Sequence, residues 1–341
     1  MQERTAHRRV TIGDVAAEAG VSVATVSKVI NDRYGVAEET SARVRAVIEA
    51  LGYHASLVGQ SLRSRRTKVV GVLVRDLEPF SAELLKGVAR GIHDSGYELV
   101  VFSGCGQTAD QGGWERRYLS RISGTLADGA ILVTPGSIDQ TFGTPVVAVD
   151  HNARSSTLPT VDSENLEGAV AATEHLLGLG HRRIGFLAGR ADLASARLRE
   201  EGYRQALARA GVAVDEELVR IGGYEAATAT EAAHELLERE SRPTAIFAAN
   251  DVTALETIAV ARSLDLRVPD DLSVVGFDNV PESALADPPL TTVEQPIQQM
   301  GREAVRLLLE LIEDPARPVT RVVLPTRLVV RQSSGPAVEA P

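Results

Sequence analysis

From Val69 onward, short apolar runs alternate with stretches in which apolar residues recur every three or four positions. The runs Val69–Val74, Glu98–Ser103, Ala130–Val133 and Val146–Val149 predict strands, and the helical period fills Ser81–Ser95, Gly112–Ser123 and Glu167–Leu179. The alternation then restarts: strand Ile184–Ala188, helix Ala196–Ala210, strand Val219–Ile221, helix Thr228–Glu238 and strand Ala245–Ala248. Helix Asp251–Leu264, strand Ser273–Gly276 and helix Ile297–Ile312 complete it. Near-continuous apolar strands separated by helices imply parallel sheets covered on both faces. Two such series in succession imply two lobes.

The first 68 residues follow another pattern. A short helix over Ile12–Ala19, a turn at Gly20–Val21 and a second helix from Ser22 to Asn31 bring Ile12, Val15, Ala16, Val21, Val26 and Val29 to one small core. Gly20 suits the turn because it takes a positive φ without a Cβ clash. Ser22 can cap the second helix by accepting from a free backbone N–H. A third helix fits Glu39–Leu51, with Val44, Val47, Ile48 and Leu51 on one face. The second helix keeps a small outer face of Val23, Ala24, Thr25, Ser27 and Lys28, which fits a major groove ~12 Å wide. A helical hairpin with no nucleic-acid role is the plainer alternative.

Charge favours the groove. Residues 1–68 hold 11 Lys/Arg and 7 Asp/Glu, a net of +4, whereas the remainder of this 341-residue chain carries a net of −14. A basic head on an acidic body suits phosphate contact at one end only.

The stretches VTIGDVAAEAGVSVATVSKVIN at Val10–Asn31 and LGYHASLVGQSLRS at Leu51–Ser64 resemble the headpiece and hinge of the lactose-repressor/galactose-repressor family of bacterial transcription regulators. The resemblance implies an all-α helix-turn-helix headpiece followed by an α/β, two-lobed, periplasmic-binding-protein-like core with parallel sheets. It divides the chain into a disordered start (1–9), the headpiece (10–54), a hinge (55–67), a first lobe (68–179 and 294–324), a second lobe (180–293 and 325–331) and a disordered tail (332–341). Three crossovers between lobes are implied, with Thr291–Arg321 returning to the first lobe and Pro325–Arg331 to the second. Val23, Ala24 and Lys28 match base-reading positions, and Ser22, Thr25, Ser27 and Asn31 match phosphate contacts. Leu62 matches the residue that wedges open a base step in the minor groove. Two departures weaken the pattern: Ala37 stands where a Ser usually caps the third helix, and Gly59 replaces an Ala of the hinge helix.

In parallel α/β lobes a ligand sits outside the carboxyl ends of the strands. Arg75, Asp76, Phe80 and Ser81 follow the opening strand; Arg190, Asp192, Arg197 and Arg199 follow Ile184–Ala188; Asn250 and Asp251 follow Ala245–Ala248; Asp278 and Asn279 follow Phe277. Such groups pair with the hydroxyls of a sugar, and an aromatic ring covers its apolar face. The resemblance assigns effector contact to Asn250, Asp278 and Arg199, with Tyr224 and Gln295 at cleft-facing positions. Phe80 and Arg197 join this set, Phe80 serving equally well as lobe packing. Trp114 suits stacking on a sugar or packing its own helix, and Asp251 suits a first-turn helix charge.

Other chemistries find little footing. No GxGxxG or Walker loop is present, the seven His residues lack metal spacing, and the lone Cys105 rules out an internal disulfide. We therefore expect no cofactor, no metal and no enzyme. His181 matches a structural, strand-leading His of the family. The charged start and the lack of an apolar run approaching roughly 18 residues point to a cytoplasmic protein without membrane contact. The expected function is a homodimeric repressor that binds a near-palindromic operator under control of a small effector. The expected effector is a mono- or disaccharide, in a family with a purine-sensing minority; the stretch GRADLASARLREEGYR is similar to that of members that sense plant-derived disaccharides. A sugar-transport protein or an α/β sugar enzyme is the alternative.

Overall fold

The computed structural model describes residues 10–30, 33–53, 66–104, 113–123, 126–135, 143–151 and 157–337. Asn31, Gly59, Leu62, Cys105 and nearly all of the expected hinge lie outside the described residues. The chain forms two compact units, residues 1–67 and 68–341.

In the first unit, α1 (Ile12–Ala19) opens with a reciprocal cap. The Thr11 hydroxyl accepts from the Asp14 N–H at 3.3 Å, and the Asp14 carboxylate accepts from the Thr11 N–H at 2.8 Å. Gly20 ends the helix at φ 65°, as its position in the turn requires. Helix α2 (Val23–Ile30) is capped by the Ser22 hydroxyl, which accepts from the Thr25 N–H at 3.1 Å. Helix α3 (Glu38–Leu51) starts at Ala37 with no side-chain cap. Val15, Val26 and Val44, one from each helix, are fully buried in the shared core.

The second unit contains two six-stranded sheets. The first is ordered β11-β5-β4-β3-β1-β2 and uses β1 (Val69–Val74), β2 (Glu98–Ser103), β3 (Gly129–Val133), β4 (Val146–Val149), β5 (Thr160–Ser163) and β11 (Arg321–Leu324). The second is ordered β12-β10-β9-β8-β6-β7 and uses β6 (Ile184–Ala188), β7 (Val219–Ile221), β8 (Ala245–Ala248), β9 (Ser273–Asp278), β10 (Thr291–Glu294) and β12 (Arg327–Val329). Every pairing is parallel except β10 with β12. Each lobe is thus an α/β layer whose central strands are buried by helices on both sides, while β2, β7, β11 and β12 at the sheet edges stay partly exposed.

Helix α4 (Pro79–Ile92) packs across α11 (Ile297–Glu313) in the first lobe. Their crossing depends on glycine: a Cβ at Gly87 would lie 2.1 Å from the Gln298 carbonyl oxygen, and one at Gly301 would lie 2.5 Å from that of Leu84. Helices α6 (Asn165–Gly178) and α7 (Ala194–Arg209) cover one face of the second sheet, burying Phe186, Tyr203, Phe247 and Phe277. Helices α8 (Ala226–Leu237) and α9 (Asp251–Ser263) cover the other. Helix α5 (Trp114–Ile122) closes the outer face of the first sheet, and α10 (Pro281–Leu285) is a single short turn after β9.

Four expectations need correction. The helix at 165–178, expected in the first lobe, buries Ala169, Ala172 and Leu176 in the second-lobe core. Periodicity reveals which face of a helix is apolar, not which sheet receives it. Thr291–Glu294, expected to return to the first lobe, pairs with β9 in the second sheet, and the chain crosses only at Gln295–Ile297. Strand β5 has no counterpart in the sequence reading because TVDS lacks an apolar run; its hydrogen-bonding edge is filled by β11. Finally, residues 332–337 are not a loose tail. Ser333 is fully buried, its carbonyl accepts from the Val274 N–H at 2.7 Å, and its hydroxyl accepts from the Thr291 N–H at 2.8 Å. His181 joins this region to the sheet, with its ring nitrogens within 2.8 Å of Thr244 Oγ1 and 3.1 Å of both Ser273 Oγ and the Gly335 carbonyl.

Candidate DNA-reading helix and effector cleft

Helix α2 turns Val26 and Val29 into the headpiece core and leaves Val23, Ala24 and Lys28 toward solvent. Val23 retains 43% of its surface in solvent. Ser22 and Thr25, at the N-terminal end of the helix, are hydroxyl to hydroxyl at 2.9 Å. This end also carries the helix's unsatisfied N–H groups and positive dipole, which favour a phosphate. The candidate base-reading side chains therefore share one outward face, with candidate phosphate contacts at its start.

In the second unit, the candidate contacts converge on Arg199. Its Nε donates to Asn165 Oδ1 at 2.8 Å, and its Nη1 donates to the Ala249 carbonyl at 2.5 Å and lies 3.4 Å from Asp278 Oδ1. The guanidinium sits 3.8 Å above the Phe277 ring centroid. Gln295 Nε2 donates to the same Asp278 oxygen at 2.6 Å, and Ser163 Oγ donates to Gln295 Oε1 at 2.5 Å. A second link crosses between lobes where Ser195 Oγ donates to Asp150 Oδ2 at 2.9 Å. Asp150, at φ 55°, follows β4, and Asp278, at φ 117°, ends β9. Backbone held in this region by non-glycine residues costs of order 1–3 kcal/mol each and concentrates at ligand sites.

The electrostatics are those of a buried cluster rich in carboxyl groups. Burial raises the Asp278 carboxyl well above the usual carboxylate range; the Arg199 charge opposes the shift, and the Asp251 and Glu78 charges reinforce it. Burial likewise raises Asp150 against the pull of Arg199. Asp162, half-buried beside Asp150, is pushed up to about 7 by desolvation and by the Asp150 charge. Burial works against the Arg199 charge, but the acidic groups around it, Tyr224, Asp278 and Asp150, outweigh that cost and raise its pKa.

Not every expected contact joins this cluster. Asn250 caps α9 by accepting from the Thr253 N–H at 2.9 Å, which turns only its amide NH2 toward other partners. Asp251 accepts from Thr292 Oγ1 at 2.5 Å and from the Val280 N–H at 2.9 Å, a structural role. Phe80 is buried in the first-lobe apolar cluster with Leu84 and Val280. Arg197 lies away from Arg199: it donates to the Ala191 carbonyl at 2.7 Å and lines an outer groove of about 630 Å³ with Glu200, Arg220 and Glu231. That groove opens along β7, not between the lobes, because Arg197 and Arg199 are two positions apart and so point to different sides of α7.

Residues 11–56 match the family described as bacterial regulatory proteins, lacI family, and residues 173–334 match the periplasmic binding protein-like domain. Over 332 residues the chain is 35% identical to the HTH-type transcriptional repressor PurR of Photobacterium profundum, covering 95% of this chain and 98% of that protein. The chain belongs to the LacI family. Among solved structures, the transcriptional regulator CelR–cellobiose complex is 34% identical, with a TM-score of 0.72, covering 95% of this chain and all of that one. The lac repressor dimer bound to operator and the anti-inducer ONPF is 28% identical, with a TM-score of 0.83, covering 96% and 100%. As a LacI-family member the chain is a DNA-binding transcriptional regulator with a ligand-binding core, not an enzyme. Among the described residues no helix is long and apolar enough to cross a membrane, and no group of His, Cys, Asp and Glu has the arrangement to hold a metal ion.

Sequence reasoning missed Asp150, Asn165, Ser163 and Ser195. Asn165 opens the helix placed in the wrong lobe, and Ser163 ends the unforeseen strand β5. Asp150 offered a usable signal: it is the first polar residue after the apolar run Val146–Val149, much as Asp278 follows the apolar stretch that ends at Phe277.

Proposed function

We propose that this chain is a homodimeric repressor that binds a near-palindromic operator and releases or tightens its grip when a neutral sugar occupies the cleft. Ser22, Val23, Ala24, Thr25, Ser27 and Lys28 face the operator, with Lys28 donating to a guanine edge and the two apolar residues meeting thymine methyls. A two-fold dimer brings two such helices to two half-sites. A regulator of this kind works on chromosomal DNA in the cytoplasm.

The observation that carries the effector reading is the Arg199 cluster. The cation at its centre is already occupied by Asn165, Asp278 and the Ala249 carbonyl, and the charges of Asp278, Asp150 and Glu78 act within the same buried region. An anionic ligand would meet more repulsion than attraction there, whereas sugar hydroxyls donate to carboxylates and accept from the Asn250 amide. The likeness to the CelR–cellobiose complex supports a β-linked disaccharide as the sugar. Because Asp150 and Ser195 join the lobes, a sugar that competes for either changes the balance of lobe closure. Coupling of this kind is reciprocal and typically ~1–3 kcal/mol.

A thermal-shift screen of mono- and disaccharides tests the reading, followed by titration of an operator fragment with each hit. We expect a disaccharide to raise the melting temperature and change operator affinity by about 5- to 150-fold. Failure of every sugar to change operator affinity would reject the effector assignment and leave the family function untouched.

A further inference from the structure

Two carboxyl groups lie side by side next to a contact that joins the lobes. Strands β4 and β5 run parallel with Val149 opposite Val161, and the Asp150 N–H donates to the Val161 carbonyl at 3.0 Å. The same register brings the next residues, Asp150 and Asp162, to neighbouring positions at the carboxyl ends of the two strands. Asp150 Oδ2 accepts from Ser195 Oγ of the second lobe at 2.9 Å. Asp162 Oδ1 accepts from the His151 N–H at 3.0 Å. Asp162 Oδ2 is buried with no hydrogen-bond partner among the described residues.

The surroundings of the two carboxyls differ. Asp150 faces Ser195, the Arg199 guanidinium and the Tyr224 hydroxyl from the second lobe, and His151 from its own strand end. Ser195, Arg199 and His151 all favour an anion at Asp150. Asp162 faces Asp150 and His151 from β4, Arg321 from β11 and Thr160 on its own strand. Burial and the Asp150 charge oppose an anion at Asp162, and together they outweigh the pull of Arg321, Thr160 and the His151 N–H. A buried carboxylate oxygen without a donor is costly, whereas a carboxyl O–H removes the charge. Two carboxyls this close do not both ionise readily, so the proton belongs to the pair. The contacts place the charge on Asp150 and the proton on Asp162.

Loss of that proton leaves two anions beside the lobe contact. While the second lobe covers Asp150, little water reaches the pair to screen the repulsion. Parting the lobes hydrates Asp150 and relieves it. The joined arrangement therefore binds more protons than the parted one, and rising pH favours parting.

We infer that Asp150 and Asp162 hold one proton between them, and that its gain or loss sets how firmly the lobes meet at Ser195, so that this regulator answers to acidity as well as to its effector. The device acts on lobe closure and does not depend on which ligand fills the cleft.

The test measures the distance between spin labels on the two lobes of the full-length protein. Labels go on Arg302→Cys in the first lobe and Glu231→Cys in the second, both exposed positions, in a Cys105→Ser background, and labelled protein is diluted with unlabelled. The ratio of parted to joined molecules should rise at least about threefold between about pH 6 and about pH 8, the limit for one proton being about tenfold per pH unit. Asp162→Asn keeps the acceptor for the His151 N–H and removes the proton, so its distances should stay at the low-pH distribution throughout. Infrared difference spectra across the same pH range should show a protonated carboxyl in the wild type that the variant lacks, and circular dichroism melts check that the variant folds. Wild-type distances that do not change with pH would overturn the inference. So would an equal shift in Asp162→Asn, which would place the titration on His151 or another group, or a protonated carboxyl signal unchanged by the substitution.

Discussion

Arg199→Ala tests the cleft's internal wiring. The substitution removes the donor to Asn165 Oδ1 and to the Ala249 carbonyl, and it leaves the buried Asp278 carboxyl with Gln295 as its remaining hydrogen-bond partner among the described residues. Breaking a buried ion pair from one side typically costs about 3–5 kcal/mol, because the partner charge stays desolvated without compensation. At the roughly 2 °C per kcal/mol that a domain of this size shows, the melting temperature should fall by about 6–10 °C. The measurement is a ligand-free melt of the full-length protein near pH 7. A double-mutant cycle with Asp278→Asn separates the pair from its surroundings. If Asp278 is what suffers when Arg199 is lost, removing its ionisable group should recover about 1–3 kcal/mol, so the double variant melts above Arg199→Ala alone. A melting temperature for Arg199→Ala within about 2 °C of the wild type, or strictly additive losses in the cycle, would refute the view that the guanidinium holds this cluster together.

Three further outcomes follow from other parts of the molecule. Lys28→Ala should weaken operator binding by about 1–3 kcal/mol and relax sequence preference at one position if Lys28 reads a base; a gel-shift panel of single-base operator variants that shows unchanged preference would assign it to phosphate instead. Asp162 is held by burial near 7 in the folded chain, against 3.8 as its ordinary value, so the fold favours its protonated form. Its contribution to stability is full below about pH 4 and is lost as pH rises through about 7, by about 4 kcal/mol at the most. Asp162→Asn keeps the acceptor for the His151 N–H, so its melting temperature should exceed that of the wild type by a margin that grows between about pH 5 and about pH 8; a constant margin would contradict the assignment. Gly87→Ala should lower the melting temperature, because the added methyl meets the Gln298 carbonyl, whereas Gly178→Ala, where a Cβ meets nothing within 4 Å, should leave it unchanged or raise it by up to about 1 kcal/mol in stability.

The parts of the chain that were legible are those in which local chemistry decides the outcome. Gly20 ends α1 and Ser22 caps α2 because a positive φ and a free N–H are needs that neighbouring residues create. Val69–Val74 and Ile184–Ala188 read correctly as strands because all their positions are buried. The errors arise where a segment's neighbour lies far along the chain. Thr160–Ser163 becomes a strand only because Arg321–Leu324 returns to pair with it, across some 160 residues. The helix at 165–178 shows an apolar stripe that would fit either sheet, and only the partner helix at 194–209 decides. Ser333 is polar and close to the end of the chain, yet it is buried because two strand ends need its hydroxyl and carbonyl.

This division explains why half the cleft was foreseen and half was not. Arg199, Asn250 and Asp278 follow apolar strands or lie in a helix next to one, so a reading of strand ends finds them. Asn165 and Ser163, which were missed, sit where the chain passes from one lobe to the other, as does Gln295, which only the family resemblance pointed to; their contacts exist only once both lobes are built. Asn165 orients Arg199, and Gln295 holds Asp278 while accepting from Ser163. The crossover residues thus fasten the side chains of one lobe to the backbone strands that lead into the other. A ligand that pulls on Arg199 or Asp278 therefore acts directly on the segments that set the angle between the lobes. In such an arrangement the affinity of the cleft and the disposition of the lobes cannot vary independently, which is the physical requirement for a regulator whose second domain must report occupancy to its first.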